Sequence, residues 1–229
     1  MKKYVLVGAS GRSLSMYAKP LINDYKDVAK VVGIFDINKT RAEYVRDHTD
    51  PSIPIYADYD QMMKETKPDA AIITTVDRFH HEYIIKTLNY GCDAITEKPM
   101  TIDEEKCNAI LEAEKRTGKK VIVTFNYRFA PYATRVKELL REGAVGDILS
   151  VDFEYLLDTS HGADYFRRWH RKLENCGGLL VHKATHHFDL VNWWIEEEPE
   201  EIYANANLRF YGHTRENRGE RCSTCQYAE

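Results

Sequence analysis

The feature that most constrains this chain is the rhythm of its first 125 residues, where short apolar runs without alternation are separated by helical patterns. The runs Tyr4–Val7, Val31–Asp36, Ala70–Thr75, Asp93–Thr96 and Val121–Phe125 are rich in Val, Ile and Ala. Apolar residues at consecutive strand positions need cover on both faces, the condition of parallel strands flanked by helices. Between these runs, Leu14, Tyr17, Ala18, Leu21, Ile22 and Tyr25 recur at helical spacing, with Pro20 in conflict because proline removes a backbone donor. Ile84, Ile85 and Leu88 mark another helix stopped by Gly91. Thr101 with Glu104 reads as a capping box opening a helix that runs to Thr117 and closes at Gly118. This alternation predicts an α/β fold with a doubly wound parallel sheet over residues 1–125.

After Phe125 the pattern changes. Pro131–Glu142 reads as a helix ended by Gly143, Ile148–Leu156 alternates like a strand buried on one face, a helical stretch covers Leu179–Ile195, and Glu201–Phe210 reads as a strand. A second, α+β domain is therefore expected over residues 126–229, without a flexible spacer.

Net charge is −4 and the basic residues are dispersed, which argues against nucleic acid as a main partner. No apolar run approaches the roughly 20 residues of a membrane helix. The apolar start Tyr4–Val7 stops at Gly8, far short of a secretory leader, and five cysteines, an odd number, suit a reducing compartment. A cytoplasmic protein is expected.

Chemistry enters at Gly8-Ala9-Ser10-Gly11-Arg12-Ser13, between the first strand and first helix. A dinucleotide pyrophosphate needs a tight turn, close backbone approach and a helix N-terminus aimed at it. Gly8 and Gly11 supply the first two; Ser10 and Ser13 replace the second and third glycines of the usual G-x-G-x-x-G, with hydroxyls able to donate to phosphate. Such a turn also serves plain packing. Asp36, 28 residues after Gly8, is placed to accept both ribose hydroxyls and to repel a 2′-phosphate, favouring NAD over NADP, with Arg41 nearby to soften the preference. The alternative for Asp36 is a solvated strand end.

The fourth run ends in Thr96-Glu97-Lys98-Pro99, at the strand ends where open α/β sheets bind ligands. With the Gly8–Ser13 turn, Asp36, Thr74-Thr75 followed by His80, Gly91, Asn126-Tyr127-Arg128-Phe129 and the block Gly177–Asp189, the chain from Met1 to about Phe210 resembles the Gfo/Idh/MocA oxidoreductases, the glucose–fructose oxidoreductase and inositol dehydrogenase group. The resemblance implies a Rossmann domain followed by an α+β domain with an open, mostly antiparallel sheet. It also implies a sugar or polyol substrate and a homo-oligomer formed through the C-terminal sheet. Lys98 matches the family lysine near the nicotinamide, and Thr75, His80, Glu97 and Arg12 join the cofactor candidates. The family block, roughly G-G-x-L-x-D-x-G-x-H-x-x-D, has His182 here in place of its first Asp and Ala184 in place of its Gly, and keeps His186 and Asp189. Family members run at least about a hundred residues further, so the chain is read as a partial second domain.

Oxidising a secondary alcohol requires a base poised near neutral pH, so His186 is the first candidate, with Lys98 orienting the hydroxyl and stabilising a developing alkoxide. His182, four residues earlier on the same helical face, joins the catalytic candidates. Lys183, Arg128, Asp189 and His170 are substrate-binding candidates, Lys183 for a hydroxyl, carboxylate or phosphate. Alternatives stay open: surface or core-edge roles for His182 and Lys183, an interdomain ion pair for Arg128, and a structural hairpin for Phe166–His170. H-x-x-x-H spacing also suits a metal, but the zinc-protease Glu is absent, and no metal is expected. Cys222-Ser223-Thr224-Cys225, with His213 close, is half a metal or redox motif and is read as a plain thiol pair. The leading function is an NAD(P)-dependent sugar or polyol oxidoreductase. The alternatives are a glycoside-cleaving enzyme using NAD transiently and a nucleotide-binding regulator without turnover.

Overall fold

The computed structural model describes residues 1–211, 214 and 219–224. A six-stranded parallel sheet is built from β1 (Lys2–Val7), β2 (Ala29–Phe35), β3 (Ile55–Tyr56), β4 (Ala70–Ile73), β5 (Asp93–Thr96) and β6 (Val121–Val123), in the order β3-β2-β1-β4-β5-β6. The order reverses between β1 and β4, so their carboxyl ends diverge there and open a crevice. Four of the five expected strands lie close to their expected bounds; β6 is shorter, and β3, only two residues long, carries too little sequence to announce itself.

The helices are α1 (Lys19–Asn23), α2 (Lys39–Asp47), α3 (Tyr59–Thr66), α4 (His80–Asn89), α5 (Glu104–Thr117), α6 (Pro131–Arg141), α7 (Thr159–Gly162), α8 (Asp164–Arg167), α9 (Leu173–Cys176) and α10 (Thr185–Ile195). A π-helical stretch, Ser13–Ala18, leads into α1 and removes the conflict at Pro20, which falls in the first turn of the new α segment where its missing N–H costs little. Asn38 and Asp58 cap α2 and α3 by accepting the N–H of Arg41 and Gln61, a capping signal that the sequence reading passed over. The expected box at Thr101 and Glu104 is displaced: Asp103 caps α5 by accepting the Lys106 N–H, while Thr101 is buried. Gly91, Gly118 and Gly143 follow α4, α5 and α6 with positive φ, as helix-closing glycines do.

Two apolar clusters flank the sheet. Val5, Val7, Ile73, Ile84, Leu88 and Ile110 anchor one, and Leu6, Leu14, Ile34, Val45 and Ile72 the other. Alternate residues of β1 thus feed opposite layers, which is what an unalternating apolar strand requires.

Beyond β6, helices form as expected, but the two alternating segments do not become strands: neither Ile148–Leu156 nor Glu201–Phe210 enters a sheet among the described residues. Alternation specifies which face would be buried, while a ladder also requires a neighbour with free N–H and C=O groups. Leu149, Leu156, Ile202 and Tyr203 are consequently exposed. Phe166–His170 is not a hairpin either, since it spans the end of α8 and a 3-10 turn at Trp169–Arg171. Cys225 and His213, invoked for the thiol motif, lie outside the described residues.

Candidate active site at the carboxyl ends of the strands

Gly8 ends β1 with φ +94°, and a Cβ there would sit 2.8 Å from Thr74 C and Thr75 N. Its glycine is therefore dictated by the neighbouring strand end. At Gly11 a Cβ would meet nothing within 4 Å, so the turn is open on the side where a pyrophosphate would approach. Ser10 Oγ accepts the Ser13 N–H at 3.1 Å and starts the helix, leaving the earliest amides for an anion. Ser13 differs from expectation: it is fully buried with its hydroxyl enclosed, so it serves close helix–sheet packing rather than phosphate contact. Asp36 follows β2 and ties the turn down, accepting the Ala9 N–H at 2.6 Å and the Asn38 N–H at 2.7 Å. Each oxygen keeps acceptor capacity for a ribose hydroxyl.

Three other cofactor candidates, Arg12, Glu97 and His80, make bracing contacts between the strand ends. Glu97 Oε1 accepts from Arg12 Nε at 2.7 Å and from the Tyr17 hydroxyl at 2.9 Å, joining the turn to the end of β5. His80 is almost wholly buried with Nδ1 2.8 Å from Pro99 O and Nε2 3.1 Å from Thr75 O, which ties the β4 end to the Lys98-Pro99 segment. Thr75 is half-buried beside it.

Lys98 projects into a cluster that the sequence reading assembled only in part. Its Nζ donates to His182 O at 2.7 Å, and burial lowers its pKa to about 8, opposed by the charges of Asp77 and Glu97. His182 Nδ1 lies 2.5 Å from Oδ2 of Asp77, a buried carboxyl between β4 and α4. Burial pushes Asp77 up to about 7 and His182 down to about 3, because desolvation disfavours the charged form of each. The pair therefore takes up one proton around neutrality and sheds net charge when it does. Asp77 was missed; its signal is an acidic residue just past a strand's carboxyl end.

His182 and Lys183 are both buried within a second π-helical stretch, Leu180–Ala184, ahead of α10. Consecutive positions of a helix point in different directions, and the two side chains take different partners, His182 meeting Asp77 and Lys183 meeting Tyr127; π turns concentrate at functional sites. Gly177 precedes them because a Cβ there would come within 2.5 Å of Ile102 O, and its φ is +70°. Lys183 Nζ donates to the Tyr127 hydroxyl at 2.7 Å and lies 5.0 Å and 5.5 Å from the ring centroids of Tyr127 and Tyr155. Tyr127 in turn stacks on His186, with centroids 3.9 Å apart and planes at 5°. Tyr127 lies in a block the sequence reading singled out, where Arg128 was chosen in its place.

His186 is brought to the site but is not poised near neutrality: burial, with Lys98 and Lys183 adding to it, pushes its imidazole down to about 3. His170 joins it, its ring 4.6 Å from that of His182, beside a cavity of about 160 Å³ lined by Tyr165, His170, Cys176 and His182. Arg128 and Asp189 are spent on one another in a two-pronged ion pair, Nε to Oδ2 at 2.8 Å and Nη2 to Oδ1. That is the ion-pair alternative for Arg128, and it fixes the Asn126–Phe129 turn to α10. No group of three or more metal-ligating side chains occurs among the described residues.

A parallel sheet in this order, a glycine turn opening a helix and a carboxylate after the second strand define a dinucleotide-binding Rossmann protein. The model of the oxidoreductase family with an NAD-binding Rossmann fold matches residues 2–125, and that of the family's C-terminal alpha/beta domain matches residues 137–227. The chain belongs to this family, the Gfo/Idh/MocA oxidoreductases. A Bacillus subtilis (strain 168) protein described as the oxidoreductase YteT is 39% identical over 239 residues, covering 100% of this chain and 56% of that one. An inositol 2-dehydrogenase of Rubrobacter xylanophilus is 26% identical, covering 78% of this chain and 48% of its own length. The chain thus spans about half the length of these curated relatives. Among solved structures, the WlbA dehydrogenase of Bordetella pertussis, in complex with NADH and UDP-GlcNAcA, superposes with TM-score 0.72 at 23% identity, covering 85% of this chain and 55% of that one. Myo-inositol 2-dehydrogenase of Lactobacillus plantarum gives TM-score 0.73 at 20% identity, with 86% and 57% covered. Likeness at this identity establishes the fold.

Proposed function

We propose that the protein is an NAD-dependent oxidoreductase that moves hydride between nicotinamide and a hydroxyl or ketone carbon of a sugar or cyclic polyol. The observation that carries the reading is Lys98, a desolvated amine at the end of β5, clustered with Asp77 and His182 on the sheet edge that also bears the Gly8–Arg12 turn. The relatives named as inositol 2-dehydrogenases support a polyol substrate.

In this reading the amides after Ser10, with open space at Gly11, hold the pyrophosphate, and Asp36 holds the adenosine ribose and disfavours a 2′-phosphate. Nicotinamide, when bound, supplies the hydride chemistry. Lys98 then has two tasks: it hydrogen-bonds the reacting oxygen, and, with a pKa near 8, it exchanges the hydroxyl proton close to neutral pH. The Asp77–His182 pair sits beside it as a proton store whose charge changes around neutrality. His186, neutral and stacked on Tyr127, offers a hydrogen bond to a ring hydroxyl. Residues 1–125 carry the nucleotide and residues 126–229 the substrate side. The proposal includes a cytoplasmic setting, in keeping with the free thiols of Cys92, Cys107 and Cys176, and self-association through the exposed apolar side chains beyond residue 145. No helix among the described residues is long and apolar enough to cross a membrane.

Calorimetry with NAD⁺ and NADP⁺, followed by a panel of inositols and aldoses read by absorbance of the reduced coenzyme, tests this. NAD⁺ should bind at least about tenfold more tightly than NADP⁺. Lys98→Met should leave coenzyme binding in place while kcat falls by about 10²–10⁴-fold. No affinity for either coenzyme would end the proposal, and binding without turnover on any sugar or polyol would favour the regulator.

A further inference from the structure

We propose that Lys183 and Tyr127 form a carboxylate subsite, so that the sugar oxidised here carries an acid group. The inference rests on the hydride-transfer reading above and adds to it the substrate's charge.

Lys183 is 7% exposed, yet among the described residues no carboxylate lies within ion-pair distance of its Nζ, and its described polar contact is the Tyr127 hydroxyl. Lys137, also buried at 4%, is by contrast provided for by the carbonyls of Trp193 at 2.5 Å and Trp194 at 3.2 Å and by Glu196 at 2.6 Å. Burying an ammonium is unfavourable unless an anion and hydrogen-bond acceptors offset it. The faces of Tyr127 and Tyr155 supply part of that through cation–π contact, and the remainder is left for something that enters the site.

The geometry names the charge. Lys183 donates to the Tyr127 oxygen, and the Tyr127 and Tyr155 hydroxyls hydrogen-bond one another, which uses one of their two hydrogens and leaves the other to donate onward. One ammonium and one phenolic O–H converge as a site for two acceptor oxygens sharing a single negative charge, which is a carboxylate. A neutral sugar hydroxyl would leave the ammonium uncompensated, and a phosphate dianion would need a second cation in direct contact. Tyr127 also stacks on His186, which sets the subsite beside the imidazole proposed to hold a ring hydroxyl.

The test compares uronates with their parent hexoses, galacturonate with galactose and glucuronate with glucose, by calorimetry in the presence of NADH and by steady-state oxidation with NAD⁺. The wild-type protein should prefer one uronate over its hexose by at least about tenfold in Kd and in kcat/KM. Lys183→Met should bring that ratio to about one, and Tyr127→Phe should lower it by about three- to tenfold. Equal binding of acid and hexose by the wild type overturns the subsite, whether or not the variants fold; so does an unchanged ratio in a folded Lys183→Met protein, or tighter binding of a hexose 6-phosphate than of any uronate. Uronate binding that Lys183→Met removes, without coenzyme reduction, would uphold the subsite and reject the hydride-transfer reading.

Discussion

The two regions of the molecule are held together by different physics. Both apolar clusters are drawn from residues before Thr124, and beyond Phe125 the buried apolar residues are only Ala133, Cys176 and Leu190 among those described. That second region instead buries Lys137, His182, Lys183, His186 and Asp189. The first is stabilised by non-directional burial of apolar surface, the second by directional contacts such as Arg128–Asp189 and Asp77–His182. The chain thus joins an apolar-cored nucleotide platform to a region whose buried groups are mostly polar.

Four measurements probe this contrast. The largest effect is expected for Leu6→Ala, which removes a fully buried side chain from the centre of the sheet and should cost about 2–5 kcal/mol in urea unfolding; a loss under about 1 kcal/mol would show that the platform is not the main source of stability. Next, Arg128→Met leaves the buried Asp189 carboxylate without its partner while the arginine itself is partly exposed, so about 1–3 kcal/mol is expected. Hydrogen exchange should then accelerate in α6 and α10 but not in β1, and uniform acceleration would merge the two regions into one cooperative unit.

Third, acid should act on the second region. His170, His182 and His186 are held down to about 4, 3 and 3, below the ordinary imidazole value of about 6.5, so the unfolded chain binds more protons than the native one as pH falls below that value. Stability conferred by these neutral rings is present above pH 6.5 and drains away towards pH 4. Asp77, raised to about 7, works in the opposite direction between its unfolded pKa near 3.8 and 7, one group against three. The Tm should fall progressively between pH 6.5 and 4.5, and a flat Tm across that interval would contradict the assignment. The smallest effect is expected for Leu149→Ser, on a side chain that is 93% exposed: within about 0.5 kcal/mol, with reduced self-association in light scattering.

The same division governs what could be read from the sequence. Parallel strands, their order of appearance and the glycine turn were legible because each rests on local composition: Val, Ile and Ala runs for the strands, Gly8 and Gly11 for the turn. The residues of the site were legible as a set but not in their partnerships. Arg128 and Asp189, 61 positions apart, satisfy one another, and Asp77 meets His182 across 105 positions, so neither pairing leaves a trace in spacing. The π-helical turn that carries His182 and Lys183 likewise leaves no mark in the residue spacing. The alternation of Ile148–Leu156 was read correctly as a pattern, but a pattern cannot supply the neighbour a strand needs.

Glu97 and Lys98 are adjacent in the chain yet serve opposite sides. The first reaches back to Arg12 and Tyr17 beside the nucleotide turn, and the second reaches forward to the carbonyl of His182. One peptide unit therefore anchors both the nucleotide turn and the amine proposed to hold the substrate, so a change of backbone at this point touches both halves of the crevice.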